Sequence, residues 1–464
     1  MNKFMAYFAS AVSLIAGVAF CVPVCAQERA VQAMTLSTLF DLADRQSQKV
    51  RVSLTALQAA DEGVEAAKSA LLPYVGLSLQ GSYTGNAFML SRGFSANGTT
   101  DYIVPGTGVV PVANGKQDTP HWGNSFTAQV SQVLYAGGAI RSGIRMAELG
   151  KEMAELDVEK NRQEIRFLLT GYYLDLCKLN NQIEVVNLNI ALTQKVIEQM
   201  KARRAEGTVL QNDITRYEYQ LQSLELTLSK LTDAFTIINH QMVTTLHLPE
   251  HTVVAPDKME LDTEINALSA IAAQQTWQQT AADNNLGIRQ ATVATNLAEQ
   301  KVKLVKAESL PSIAVVAENQ LYGPYTQDLI PKDCNVNVWF VGIGVKFNLG
   351  SLWKNKHNIR KARIDYRQSQ ETLALAHEEV ENGVQANYTN LLTSYTEVKT
   401  QQKQVELANQ NYAVVQNRYQ NELALLTDMV DASNMKLSAE MALVNARIAM
   451  LYNFFKLKYV TSTL

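Results

Sequence analysis

Few side chains in this 464-residue chain are placed to do chemistry, and the most suggestive pair is Asp428 and Asp431. Their i, i+3 spacing puts both carboxylates on one helix face. Carboxylates gathered on one face attract cations. Asp213 follows Asn212 where another helical stretch restarts. An aspartate there ordinarily caps the helix or meets its dipole. Nothing else points to a reaction. His121, His240, His247, His251, His357 and His377 form no zinc-ligand motif, and no glycine loop is built to cradle phosphate. No Ser, Cys or carboxylate stands in a nucleophile's setting. The reading is of a protein that is not an enzyme and uses neither metal nor cofactor.

The elements that position these aspartates occur twice. Each copy runs helix, Leu-Pro, two alternating strands, then a long heptad-patterned helix that breaks and returns. In the first copy Leu72-Pro73 opens the strands, Arg203-Arg204-Ala205-Glu206-Gly207 marks the break, and Asn212-Asp213-Ile214 restarts the helix. In the second, Leu310-Pro311, Arg418-Tyr419-Gln420-Asn421-Glu422 and Thr427-Asp428-Met429 play the same parts. The expected organisation is a signal peptide at 1–26 and repeats at 27–262 and 263–464. The first repeat holds a helix, strands at about 73–83 and 122–135, and a helical hairpin at about 139–247. The second holds a helix, strands at about 311–322 and 337–349, and a hairpin at about 352–460.

Lys3, the apolar stretch Phe4 to Phe20 and the small-residue end Val24-Cys25-Ala26 read as a cleaved secretory signal. Neither Cys21 nor Cys25 follows the small residue expected at a lipid-attachment site. Beyond the signal only Cys177 and Cys334 remain, which is no disulfide framework and no metal set. A net charge of −3 offers no basic face for nucleic acid. The mature chain has no run of about 18 apolar residues, so any membrane crossing falls to strands.

Those strands look fit for it. Trp339, Val341, Ile343, Val345 and Phe347 alternate with Phe340, Gly342, Gly344, Lys346 and Asn348, the pattern of a lipid-facing barrel strand. Ile313, Val315 and Ala317 alternate with Val316, Glu318 and Gln320; Val75, Leu77 and Leu79 alternate with Gly76, Ser78 and Gln80. Gly85–Pro120 and Gly323–Asn335 read as outward loops. Four strands cannot close a transmembrane barrel, which needs about eight, and an open edge in hydrocarbon leaves costly unpaired backbone groups. Other copies must complete it; two, three or four chains would give eight, twelve or sixteen strands.

The long helices carry a/d seams. Leu169, Leu176, Ile183, Ile190 and Ile197 form one series, and Tyr172, Leu179, Val186, Thr193 and Met200 a second. Leu221, Leu228, Phe235 and Met242, with Leu224, Leu231 and Ile238, answer them on the return helix. Val384, Leu391, Val398, Val405, Tyr412 and Tyr419 continue the spacing in the second copy, answered by Val430, Leu437, Val444 and Leu451. A helix leaving a ring of strands should itself lie in a ring, as part of a hollow tube. Asn180, Asn181, Asn187, Asn189, Gln401, Gln402, Gln404, Asn409 and Asn411 then read as its water-facing walls. An ordinary coiled-coil stalk, structural or adhesive and non-conducting, is the alternative; it leaves the apolar strand faces unexplained.

These features resemble the TolC-type outer-membrane efflux proteins over almost all of the mature chain. The likeness rests on Thr35-Leu36 through Pro73, on the junctions Val133-Leu134-Tyr135-Ala136-Gly137-Gly138 and Phe347-Asn348-Leu349-Gly350, and on the duplicated helix breaks. It implies a mainly α fold with a β-barrel part. Three chains would form a twelve-stranded barrel in the outer membrane, continuous with a periplasmic α-helical barrel. It also implies an exit duct that docks a periplasmic adaptor and an inner-membrane pump of the RND or ABC type. By the same likeness the helix breaks form a periplasmic aperture lined by Asp428 and Asp431, with Asp213 and Tyr419 at latch positions. Ala424 and Glu422 depart from the family's arginine and turn glycine, leaving Arg216 or Arg418 as the substitute cation.

Overall fold

The computed structural model describes residues 31–85, 87–89, 99–104, 108–113, 115–117, 120–207, 210–249, 251–256, 273–325, 333–421 and 423–464. The signal segment 1–26, Glu422 and parts of both outward loops lie outside the described residues.

Four strands make one antiparallel sheet: β2 (Tyr74–Tyr83), β7 (Trp122–Ala136), β9 (Ser312–Gly323) and β10 (Val336–Lys346), in the order β10-β9-β7-β2. Each copy supplies one hairpin, and β7 against β9 joins them. β2 and β10 are the two edges. They run in opposite directions, so β10 of one chain can pair antiparallel with β2 of another. Between β2 and β7 the chain adds short pairs, β3 (Ala87–Met89) with β6 (Gly115–Gln117) and β4 (Thr99–Val104) with β5 (Gly108–Ala113).

The helical part is built on two long rods, α3 (Ala139–Ala205) and α8 (Lys356–Gln420), of 67 and 65 residues. At 1.5 Å per residue each spans roughly 100 Å. Their return helices α4 (Gln211–Thr245) and α9 (Leu426–Val460) are about half as long. The remaining length is flanked by α1 (Leu36–Gln46) and α2 (Gln48–Lys68) in the first copy, and by α5 (Gln274–Asn284) and α6 (Leu286–Ala307) in the second. Short helices stacked end to end thus pack beside each rod. Their joins are capped locally: Thr35 accepts from Thr38 N–H, and Asn285 accepts from Ile288 N–H while donating to the Val460 carbonyl.

The largest core sits at the height of these joins. Leu39, Leu169, Tyr173 and Leu176 meet Met242, Leu391, Leu451 and Phe455 there. β1 (Val31–Met34) and β8 (Val253–Pro256) form a parallel pair at the same level. Neither strand was expected from the sequence; each is too short to show alternation. A four-residue turn α7 (Ser351–Lys354) precedes α8. At the other junction Gly137 takes φ +63°, and a Cβ there would lie 2.8 Å from the Ala307 carbonyl oxygen, so only glycine fits between β7 and the end of α6.

The heptad series need one correction. Leu169, Leu176 and Ile197 are buried, but Ile183 and Ile190 are only partly so; Gln182, Val186, Asn189 and Thr193 are buried between them. A straight helix drifts about 20° per heptad against a seven-residue repeat, so the buried stripe moves from one series to the other. Asn189, expected on a water-facing wall, is therefore inside. Its amide donates to the Val185 carbonyl at 2.8 Å, and Gln182 donates to Asn445 Oδ1 on α9 at 2.8 Å.

Candidate functional site

Both helix breaks close locally. α3 ends with Arg203 and Arg204 in its last turn, suited to the helix C-terminal dipole, and Gly207 at φ +81° turns the chain. At the second break Leu423 N–H donates to the Arg418 carbonyl at 2.8 Å, and the Arg418 guanidinium donates to the Leu423 carbonyl at 3.3 Å. Arg418 is thus spent on its own turn. Asp428 accepts from Leu425 N–H at 3.1 Å, an N-terminal cap for α9. Asp428 and Asp431 are both exposed, while Met429 and Ala432 beside them are buried. The two carboxylates therefore share the solvent-facing side of α9.

The two breaks are tied together by a group that the sequence reading placed at the first break without a tying role. Arg203 donates to the Gln420 carbonyl at 3.2 Å, spanning from α3 to the end of α8. This bond runs from the last turn of α3 to the last residue of α8. Burial pushes the Tyr419 phenol up; the nearby Asp213 charge adds to the rise and Arg203 opposes it. Asp213 and Tyr419, far apart in sequence, are therefore neighbours. Beneath them Ile197, Met200, Ile214, Leu426 and Met429 pack around Tyr217, with Tyr412 and Tyr419 at the rim. Burial also raises the Tyr217 phenol, and its neighbours Tyr419 and Tyr412 add to that. The Tyr217 hydroxyl is buried without a hydrogen-bond partner among the described residues. Tyr412 was legible as a seam residue, and Tyr217 lies seven residues before Leu224, in step with the heptads of the return helix.

At the opposite end the strand register sorts the sheet into two faces. Directly opposed residues share a face. Leu77, Ala128, Asn319 and Trp339 form one rung, and Val75, Val130, Ala317 and Val341 the next. Val315 pairs with Ile343 and Ile313 with Val345 on the same side. Leu77 and Ile343 are 72 % and 71 % exposed in the single chain, so this apolar face has no cover from its own helices. β10 ends at Lys346, and Phe347 lies just beyond it. The opposite face carries Ser78, Thr127 and Gln320, then Gly76, Gln129 and Glu318. Tyr83 stacks on His121 and meets Trp122 edge-on at one end of the hairpin, where aromatics suit an interface. Among the described residues no helix is long and apolar enough to cross a membrane.

The family model named Outer membrane efflux protein matches residues 39–246 and 277–460, spanning both helical hairpins. The chain belongs to the outer membrane efflux protein family. It is 21 % identical over 444 residues to outer membrane protein TolC of Salmonella enteritidis, covering 93 % of this chain and 83 % of that protein. It shares its fold with the outer membrane protein VceC of Vibrio cholerae (TM-score 0.71, 15 % identity, 92 % of this chain and 96 % of that one). The same holds for the open state of the MtrE channel of Neisseria gonorrhoeae (TM-score 0.69, 15 % identity, 92 % and 88 %). The protein is an outer-membrane efflux channel with a periplasmic helical extension.

Proposed function

We propose that three copies of this chain form a passive exit duct, in which each β10 pairs with the β2 of its neighbour and twelve strands close the barrel. The observation that carries this is the four-stranded sheet with one apolar face and two unpaired edges. In hydrocarbon those edges must be paired. Trp339, Val341, Ile343, Val345 and Phe347 face lipid, and the helices continue the ring into the periplasm. A periplasmic adaptor and an inner-membrane pump, of the RND or ABC type, feed substrate into the helical end. The pump supplies the energy.

The helical tip is the gate. Asp428 and Asp431 from three chains put six carboxylates around a narrow opening, and Asp213, Tyr419 and Arg203 hold the two hairpins of each chain together. The geometry supports this: the acidic pair is exposed on one side of α9 while Met429 packs against the Tyr217 cluster on the other. The test is cysteine cross-linking between β10 and β2 in membranes, with Cys177 and Cys334 replaced. A ladder ending at three chains is expected. A ladder ending at two or four, or no cross-linking between these strands, refutes the trimer.

A further inference from the structure

The polar face of the sheet carries two charged residues among its described strand positions, Glu318 and Lys346. Lys346 ends β10 and pairs with Ser312, whereas Glu318 lies mid-strand, six residues along β9. At about 3.3 Å per residue they are roughly 20 Å apart, beyond the screening length of physiological salt. Among the described residues nothing pairs with the Glu318 carboxylate. An ionisable side chain in the middle of a membrane-spanning strand is costly unless it faces water, and it then marks a path for ions or substrate.

Its rung is unusual in a second way. Phe340 stands directly opposite Glu318 on β10, and Gln129 opposite it on β7. Directly opposed Cβ atoms lie about 5 Å apart, so carboxylate and ring are adjacent. Phe340 is 50 % exposed although it lies on the polar face. The next two residues of β10 on that face are Gly342 and Gly344. A Cβ at Gly342 would meet nothing within 4 Å, and one at Gly344 would find its nearest neighbour at 3.9 Å. The ring therefore borders an open floor beside a negative charge.

We propose that Glu318, Phe340 and the glycine floor form a docking rung inside the barrel for organic cations with an apolar body, such as quaternary ammonium compounds. The carboxylate supplies the charge, and the ring supplies both apolar area and a face attractive to cations. The inference rests on the polar face being the lumen of a conducting barrel. In the trimer three such rungs lie at one level.

The test uses the full chain in planar bilayers with KCl on both sides. Asp428 and Asp431 are both replaced by Asn, so that the tip does not bind the probe, and tetrabutylammonium is added on the barrel side. Block of the KCl current is expected. Glu318→Gln should raise the half-blocking concentration about five-fold. Phe340→Ala should raise it about two- to five-fold, while Phe340→Tyr keeps it. A conducting channel whose block changes less than two-fold in Glu318→Gln or Phe340→Ala overturns the rung alone. Absence of any KCl conductance, also when the tie between the hairpins is loosened by Tyr419→Phe with Asp213→Asn, overturns the channel reading and the rung with it.

Discussion

Lysines at 343 and at 342 place the same charge one residue apart on β10, yet on opposite faces of the sheet. Ile343 shares its rung with Val315, on the side that holds Leu77 and Val341. A lysine at the bilayer midplane on a lipid-facing strand costs about 2–4 kcal/mol. Three copies in one barrel then cost about 6–12 kcal/mol, comparable with the whole stability of an ordinary folded domain. Gly342 faces the other way, and an added Cβ meets nothing within 4 Å, so a lysine there extends into water. The assay is the fraction of chain recovered as trimer from outer membranes after detergent extraction, relative to total chain. Ile343→Lys should fall to about a tenth of wild type or less, and Gly342→Lys should keep at least about half. Equal loss in both variants, or recovery of Ile343→Lys within two-fold of wild type, would refute the assignment of the two faces.

At the tip, Asp428→Asn with Asp431→Asn should weaken cation selectivity and block by multivalent cations in planar bilayers. Melting should be unchanged, because asparagine keeps the acceptor for Leu425 N–H. Asp428→Ala loses that cap and should cost about 0.5–2 kcal/mol in chemical denaturation; an Asn pair that leaves selectivity intact would count against the aperture. Tyr217→Phe removes a buried hydroxyl that has no partner, so it should leave stability equal or raise it by up to about 1–3 kcal/mol, and a clear loss would reveal a missed partner. Raising pH above about 10 should weaken the tip, since the unfolded tyrosines lose protons there while Tyr217, Tyr412 and Tyr419 retain theirs. That loss of stability, followed by denaturation across pH 9 to 11.5, should shrink in Tyr217→Phe. Gly137→Ala should lower the thermal midpoint through its φ of +63° and its 2.8 Å approach to Ala307, costing at least about 1–2 kcal/mol, while Gly150→Ala, with open space, should not.

The strand faces were readable because their signal is local. Period-two alternation from Trp339 to Val345 fixes which residues share a side without knowledge of any partner strand. The duplication was equally local, and it located both breaks. The seams were readable in their residues but not in their rotation. Seven-residue spacing admits two neighbouring stripes on α3, and only the packing against α4 and α9 chose Val186 and Thr193, with Gln182 and Asn189 beside them, over Ile183 and Ile190. The β1 and β8 pair escaped for the opposite reason: four residues carry too little pattern, and the pairing joins positions more than two hundred residues apart.

At the tip the same division holds. The sequence by itself determined that acidic residues restart each return helix, since capping is a matter of three or four consecutive residues. It could not determine that Arg203 reaches the Gln420 carbonyl or that Tyr217 is enclosed by Tyr412 and Tyr419. Those contacts depend on how two hairpins from different halves of the chain lie against each other. Their relative placement is set by the shared core at Leu169, Leu391 and Leu451, far up the rods. Local periodicity decides elements, and only their mutual packing decides which ends meet.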